Sequence, residues 1–166
     1  MEIGAGAGPN FRHYPPGAEV AATEPDPHML KRARKSARKT PGVTVHQASA
    51  DALPFADDSV DTVVGTGVLC TVPDQAAALA DIKRVLKPGG RYLLFEHVRS
   101  DDPELAAKQD RGERRQVRLG GGCHPNRATL DAIVAAGFET ERVEHRRLPG
   151  PKLTSTGIFG AARKPA

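Results

Sequence analysis

Three glycines at alternating positions follow an acidic residue near the start of the chain, in the sequence MEIGAGAG. Gly4, Gly6 and Gly8 can adopt the positive φ angles that other residues resist, and they let a ligand approach the main chain closely. A second acidic residue, Glu24, follows about 20 residues later, where a carboxylate can accept hydrogen bonds from both hydroxyls of a ribose. This spacing predicts a nucleoside-binding site. A flexible glycine-rich terminus and an acid that stabilises a helix start are the alternatives. Asp26 directly precedes the next helical pattern and fits that capping role better, which leaves Glu24 free for a ligand.

The glycine spacing argues against a dinucleotide cofactor. Dinucleotide-binding turns have the pattern G-x-G-x-x-G, whose third glycine would stand at residue 9, where this chain has Pro9. A helix is expected to start near Pro9 or Asn10, but Pro15 and Pro16 cut it short, whereas a pyrophosphate needs an open helix N-terminus. A nucleoside ligand without phosphate points to S-adenosylmethionine. A nicotinamide-dependent oxidoreductase is the less favoured alternative.

Two histidines could act as a general base in methyl transfer, which is an in-line displacement. A neutral thiol, hydroxyl or amine acceptor benefits from a base with a pKa near 7. His97 ends a predicted central strand, and ligands bind beyond the strand ends in sheets of this kind. His124, beside Cys123, is the second candidate. Each could instead have a purely structural role, and no metal site is predicted.

These residues need a scaffold, and apolar segments typical of strands alternate with helical patterns along the chain. A first strand, reduced to two or three residues, is predicted to end at Glu2 and Ile3. Further strands are predicted over residues 19–23, 43–46, 61–65 and 91–98 and near 139–148 and 155–164, and helices over 27–39, 74–87 and 127–137. Alternating strands and helices predict a parallel sheet with helices on both faces. The last two strands are joined by a short loop and should pair antiparallel. We therefore expect one α/β domain over residues 1–166, Rossmann-like and doubly wound, mostly parallel, with an antiparallel C-terminal edge.

Composition narrows the range of partners. The net charge is +4, and the basic segments 31–39 and 111–118 contain no interleaved aromatic residues, so nucleic-acid binding is not expected. The first segment is predicted to be a helix with Leu30, Ala33 and Ala37 facing inward. No apolar run approaches the roughly 18 residues of a membrane span. The two cysteines lie in different sequence contexts, which favours a reducing, cytoplasmic location.

The chain resembles the class I S-adenosylmethionine-dependent methyltransferases in five segments that keep the family's order and spacing: EIGAGAG, TEPDP, QASADALPFADDSVDTVV, RVLKPGG and FEHV. It is similar to the methyltransferase type 11 group, which includes quinone-biosynthesis C-methyltransferases. Four further segments are more similar to the methyltransferase-like thiol methyltransferases: NFRHYPPG, VLCTVPDQ, EHV and GGGCHPNR. The resemblance implies methyl transfer from S-adenosylmethionine to a small-molecule acceptor.

The resemblance also implies two groups of cofactor-binding residues. Those around the methionine part follow the first and fourth strands: Glu2, Gly4, Gly6, Gly8, Gly65, Thr66, Gly67 and Leu69. Glu2 would orient the cofactor's amino group. Those around the nucleoside follow the second and third strands: Glu24, Pro25, Ser49, Ala50 and Asp51. Ser49 stands where the family usually has an acid that reaches the adenine, so Asp51 and the backbone of Ala50 would substitute.

Two departures from the family affect the acceptor side. The chain starts at the glycine turn, without the helices that relatives place before it, and the segment between FEHV and GGGCH is charged. We therefore expect an N-terminally short domain whose acceptor pocket is open to water, and a cofactor-binding protein with weak or no turnover is the main alternative. The sequence leaves the acceptor open among a thiol, a quinone-type carbon, an amine and a hydroxyl.

Overall fold

Seven strands form one sheet in the order β3-β2-β1-β4-β5-β7-β6, in a computed structural model that describes residues 1–166. The strands are β1 (Glu2–Ile3), β2 (Val20–Thr23), β3 (Val43–His46), β4 (Val60–Thr66), β5 (Leu86–His97), β6 (Glu139–Arg147) and β7 (Thr156–Arg163). The α-helices are α1 (Pro27–Ala37), α2 (Gln75–Val85), α3 (Pro103–Leu119) and α4 (Thr129–Ala135). Two short 3-10 helices cover Phe11–His13 and Lys152–Thr154.

The strand directions confirm the predicted fold class. Strands β1 to β5 pair in parallel, whereas β7 lies antiparallel between β5 and β6. The strand order reverses between β1 and β4, so the loops that follow these two strands diverge at the carboxyl edge of the sheet. In sheets of this kind ligands bind at that reversal.

The first strand has only two residues, yet it occupies the centre of the sheet. Glu2 pairs with Ala22 on one side and with Val64 on the other. Ile3 is fully buried in the main core, where it joins apolar side chains of β4, β5 and α2. A central position therefore compensates for the strand's short length, because both of its edges are hydrogen-bonded and its side chains are covered.

Two predicted boundaries are wrong. Helix α2 ends at Val85, and residues 87–90 form the first part of β5 instead of ending the helix. The pairing with β4 shifts there, from Val60 opposite Leu86 to Thr62 opposite Arg91, and this irregularity accommodates the extra residues. After the glycine turn, the expected helix is only the 3-10 helix Phe11–His13.

Helix α3 is the element that the sequence analysis missed. It begins with Asp102, whose carboxylate accepts hydrogen bonds from the backbone N–H groups of Glu104 and Leu105. Its central residue Gln109 is fully buried, and its amide accepts from Ser100 N–H and donates to the carbonyl oxygen of Val98. A helix that buries a glutamine lacks the apolar periodicity by which helices are predicted.

The basic segment in α1 matches its prediction, because Leu30 and Ala33 are buried, Ala37 is half-buried, and the neighbouring basic residues are mostly exposed. None of the helices combines the length and apolar character needed to cross a membrane.

Candidate functional site

The three glycines of the first turn all have positive φ angles, of 57°, 57° and 78°, but they differ in what surrounds them. A Cβ atom at Gly4 would lie 2.7 Å from Val68 Cγ2, and one at Gly8 would collide with the ring of Phe11. A Cβ atom at Gly6 would meet only Met29 Cε, at 3.8 Å. Gly4 and Gly8 are therefore required for packing, whereas Gly6 has open space above its backbone.

Gly67 is a second position with open space beside the backbone. It follows β4, has a φ angle of 67°, and an added Cβ atom would meet nothing within 4 Å. Its neighbour Thr66 is exposed, and Gly65 is buried against the Tyr92 hydroxyl. Gly6 and Gly67 therefore leave bare backbone at the ends of the two strands where the sheet order reverses.

The Glu2 carboxylate is 2% exposed at the end of β1. It accepts hydrogen bonds from the Tyr14 hydroxyl at 2.8 Å and from Asn10 Nδ2 at 3.1 Å. Burial raises its pKa, although both hydrogen bonds act in the opposite direction. No lysine, arginine or histidine forms an ion pair with it within 4.0 Å. The group is therefore a buried acid whose side-chain partners are neutral.

Asn10 and Tyr14 contact the candidate site through Glu2, and the sequence analysis did not single them out. Asn10 Nδ2 also lies 3.2 Å from Thr66 Oγ1, so this side chain links the ends of β1 and β4. Burial, and then the contact with Glu2, raise the pKa of Tyr14 far above its ordinary value, which keeps the hydroxyl protonated as a donor. Both residues lie in the segment NFRHYPPG, whose resemblance to thiol methyltransferases was the available signal.

Glu24 follows β2 and is 6% exposed. Its Oε2 accepts a hydrogen bond from Gly6 N–H at 2.8 Å, and its Oε1 accepts one from Asp26 N–H at 3.0 Å. Asp26 caps helix α1 through His28 and Met29, as the sequence suggested. The expectation that Glu24 is free of other partners is wrong, since the backbone engages both of its oxygens and ties the glycine turn to β2.

The remaining residues assigned to the nucleoside side lie in varied surroundings. Pro25 and Asp51 are exposed, Ser49 is half-buried and Ala50 is buried, and the side chains of Ser49 and Asp51 form no hydrogen bonds. Leu69, assigned to the methionine end, is fully buried in the main core. Its side chain therefore packs in the protein interior and does not line an open surface.

Glu96 connects β5 to the loop that follows β4. Its fully buried carboxylate accepts three backbone hydrogen bonds, from Val68, Leu69 and Cys70, at 2.9–3.0 Å. Burial raises its pKa, and the three N–H donors oppose that shift. This carboxylate fixes the start of the loop that carries Gly67 at one end and Cys70 at the other.

His97 brings the two cysteines together. Its Nδ1 atom lies 3.8 Å from Cys70 Sγ and 3.6 Å from Cys123 Sγ. Both thiols are free and buried, and the imidazole is half-buried. The hydrogen bond from Cys70 lowers the pKa of Cys123, and contact with His97 lowers it further. The hydrogen bond with Cys123 also raises the pKa of His97. The cysteines that differ in sequence context thus share one site.

His124 lies next to this cluster but has another partner. Its Nδ1 is 2.8 Å from Glu113 Oε1 on α3, and its backbone N–H donates to the carbonyl oxygen of Cys70 at 2.7 Å. The contact with His124 lowers the pKa of Glu113. His124 therefore links helix α3 to the two loops that carry the cysteines.

Comparisons with known proteins agree with this architecture. A family model described as a methyltransferase domain matches residues 1–94. The chain is 34% identical to thiol S-methyltransferase TMT1B of Homo sapiens, over 99% of this chain and 70% of that protein. It is 31% identical to the ubiquinone/menaquinone biosynthesis C-methyltransferase UbiE of Pectobacterium carotovorum, over 75% of this chain and 58% of that protein.

The chain spans only part of these relatives, between 63% and 70% of the length of the matched thiol methyltransferases. Among solved structures, the [4+2]-cyclase SpnF superimposes with a TM-score of 0.79 and 20% identity, over 99% of this chain and 73% of that one. This likeness shows the shared fold.

Proposed function

Because the chain belongs to the class I S-adenosylmethionine-dependent methyltransferase family, we propose that it transfers a methyl group from S-adenosylmethionine to a small thiol. The observation that carries the proposal is the pair of buried carboxylates, Glu2 and Glu24, at the ends of adjacent strands on either side of the glycine turn. S-adenosylmethionine supplies a methyl group that its positively charged sulfur has already activated. The protein then has to bind the cofactor and the acceptor, align them with each other and exclude water from between them.

The Glu2 carboxylate fits the ammonium group of the cofactor's methionine part. A buried carboxylate is stabilised most by a cation, and the present side-chain partners of Glu2 are a hydroxyl and an amide. Gly6 and Gly67 leave open space on the backbone nearby. Glu2, Gly6 and Gly67 would therefore hold the methionine part, while Gly4 and Gly8 shape the turn through contacts with Val68 and Phe11.

The Glu24 carboxylate fits the ribose. A carboxylate has about four lone-pair sites, and the hydrogen bonds from Gly6 and Asp26 use two of them. Those two bonds fix the orientation of the group, and the remaining sites would accept the two ribose hydroxyls. The short 3-10 helix after the turn offers no extended helix N-terminus for a pyrophosphate. This feature supports S-adenosylmethionine over a nicotinamide dinucleotide.

A thiol acceptor is supported by the thiol S-methyltransferase relatives and by the polar cluster at the end of β5. A thiol must lose its proton to become a strong nucleophile. His97 is the half-buried titratable group at the carboxyl edge, whereas His124 is already paired with Glu113. We therefore place acceptor activation at His97 and treat His124 as a residue that positions the surrounding loops.

A second candidate is a protein of this fold that binds the cofactor without transferring its methyl group. The similar structure SpnF is named as a [4+2]-cyclase, so the same fold occurs in a protein that is named for a reaction other than methyl transfer. This likeness is the reason for keeping the second candidate. The two candidates share the cofactor site and differ in turnover.

A methyl-transfer assay with a panel of small thiols, phenols, amines and quinols tests the proposal. We expect product with thiols, and we expect Glu2→Gln to reduce it, whereas the exposed Glu19→Gln should leave the rate unchanged. Methylation of quinols without thiols would contradict the assignment of the acceptor. Cofactor binding without product from any acceptor would favour the second candidate.

A further inference from the structure

Cys70, His97 and Cys123 have the donor atoms and the spacing of a metal site. Their two Sγ atoms and the imidazole nitrogen all lie within 4.8 Å of one another. Zinc–sulfur bonds of about 2.3 Å and zinc–nitrogen bonds of about 2.0–2.1 Å at a tetrahedral angle separate the S and N atoms by about 3.6 Å. The observed separations from His97 Nδ1, 3.6 Å to Cys123 and 3.8 Å to Cys70, match this value closely.

The backbone holds these three donors in place without any metal. The Cys70 N–H donates to Glu96 Oε2, and the residue after Glu96 is His97 itself. The Cys70 carbonyl oxygen accepts a hydrogen bond from His124 N–H, which fixes the position of Cys123 one residue earlier. The segments after β4 and β5 and the loop before α4 are therefore joined at the cluster. Ligands held by surrounding hydrogen bonds are a general property of metal sites.

The ligand types select the ion. Two thiolates and one imidazole suit zinc, and their chemistry disfavours magnesium and calcium, which prefer oxygen ligands. A disulfide is a different use of the same two cysteines, but it gives no role to an imidazole that lies at nearly equal distances from both sulfurs. The position of His97 therefore favours an ion over a disulfide.

We propose that Cys70, His97 and Cys123 bind a zinc ion through three protein ligands and leave its fourth coordination position for the sulfur of a thiol acceptor. Zinc sites with three protein ligands are typical of catalytic centres, in which water or substrate completes the tetrahedron. His97 is the only half-buried member of the three, so the cluster is more accessible to solvent at the imidazole than at either thiol.

Binding of the acceptor is a ligand exchange at the fourth coordination position of the ion. An incoming thiol displaces the zinc-bound water, its proton passes to solvent, and its sulfur remains on the ion as a thiolate. No electron is gained or lost by the metal. His97 then serves as a zinc ligand. The ion lowers the pKa of the bound thiol, so that its proton is lost to solvent without the general base that would otherwise accept it. The coordination of the acceptor by zinc rests on the proposed thiol methylation, whereas the metal site itself does not.

Titration of the reduced, chelator-treated protein with Co²⁺ tests the site, because cobalt bound to thiolates gives visible and near-ultraviolet bands. We expect one Co²⁺ per chain with sulfur-to-cobalt charge-transfer bands, and we expect Zn²⁺ to displace it. Cys123→Ser should weaken binding by more than the roughly 10–100-fold that loss of an outer partner costs. His28→Gln, which removes an exposed histidine far from the cluster in sequence, should leave stoichiometry and affinity unchanged. A wild-type protein without these bands would overturn the proposal, whatever the variants do.

Addition of 2-mercaptoethanol to the cobalt form tests the open position. A stronger charge-transfer band is expected, because a third sulfur joins the ion, and an unchanged spectrum would overturn acceptor coordination. The transfer assay separates this inference from the proposed function. If the protein binds Co²⁺ as described but methylates no thiol, the metal site is supported and the proposed function is overturned. If thiols are methylated at the same rate before and after metal removal, the proposed function is supported and the role of the ion is overturned.

Discussion

Most residues proposed for the cofactor come from one short part of the chain, and Gly67 joins them from the loop after β4, whereas those proposed for the acceptor come from three distant segments. Glu2, the glycine turn and Glu24 all lie within the first 24 residues, and hydrogen bonds join Glu24 to Gly6 directly. His97 is separated from Cys70 by 27 residues and from Cys123 by 26. The cofactor end is therefore set by local turn chemistry, and the acceptor end depends on how the loops assemble.

The two ends also differ in how their carboxylates are used. Glu2 has neutral side-chain partners, and burial raises its pKa, so a cationic ligand would stabilise its charged form. Glu96 has three backbone donors and holds the loop that carries Cys70. A buried acid whose acceptor sites are mostly occupied by protein N–H groups is suited to a structural role, while one with more spare acceptor capacity is suited to a ligand. Burial alone does not separate the two roles.

The largest expected effect on stability comes from the glycine turn. Gly8→Ala should destabilise the fold by about 2–4 kcal/mol, because the new Cβ atom is strained at positive φ and collides with Phe11. Gly17→Ala is the matched control, since Gly17 has a φ angle of 84° and no atom within 4 Å of an added Cβ. Urea unfolding measures both. Equal losses would mean that backbone strain, without the contact with Phe11, explains the glycine.

The next effect concerns cofactor affinity. Glu2→Gln keeps the size of the side chain but removes its charge, so S-adenosylmethionine should bind about 1.5–3 kcal/mol more weakly, roughly 10–150-fold in Kd. Calorimetric titration of wild type, Glu2→Gln and the exposed Glu19→Gln gives the comparison. An unchanged Kd for Glu2→Gln would place the cofactor's ammonium group elsewhere.

The pH dependence sharpens the same test. Burial raises the pKa of Glu2 above its ordinary value of 4.5. As the pH falls from neutral toward that raised pKa, the carboxylate gains a proton and loses the charge that attracts a cation. Wild-type affinity should therefore decrease in mildly acidic solution, and Glu2→Gln should change less over the same interval. Parallel pH profiles for the two proteins would identify another group as the one that titrates.

The stability of the segments beside the acceptor end should depend on Gln109 of helix α3. Gln109→Leu would leave Ser100 N–H and the carbonyl oxygens of Val98 and Leu153 without their present partner. We expect a loss of about 1–3 kcal/mol in unfolding free energy. Gln116→Leu on the same helix is the control, because the Gln116 side chain makes no hydrogen bond. Similar losses in the two variants would show that the helix does not depend on the Gln109 contacts.

The backbone geometry around the glycine turn was largely predictable from the sequence, because glycine spacing and helix caps leave local signals. Positive φ angles at Gly4, Gly6 and Gly8 follow from glycine at alternating positions, and Asp26 caps α1 as its position before the helical pattern suggested. The sequence analysis did not predict the two bonds that Glu24 makes with the backbone, because they depend on the folded turn.

The acceptor end was predicted only in part. Residue types marked His97 and His124 as candidates, but the meeting of Cys70 with Cys123 depends on the crossing of separate loops. Helix α3 was missed because Gln109 occupies a position where an apolar residue would have given a periodic signal. Contacts between residues far apart in sequence leave no periodic or motif signal in a single chain, so they have to be read from the fold.

The central claim is that cofactor binding and acceptor activation are performed by separate groups of residues. Calorimetric titration of S-adenosylmethionine into Glu24→Gln and Cys123→Ser tests it most directly. We predict that Glu24→Gln raises the Kd by roughly 5–150-fold, the equivalent of about 1–3 kcal/mol of charge-assisted hydrogen bonding. Cys123→Ser should stay within about twofold of wild type, as expected for an independent site. Weakening of cofactor binding by Cys123→Ser to the same extent as by Glu24→Gln would contradict the claim.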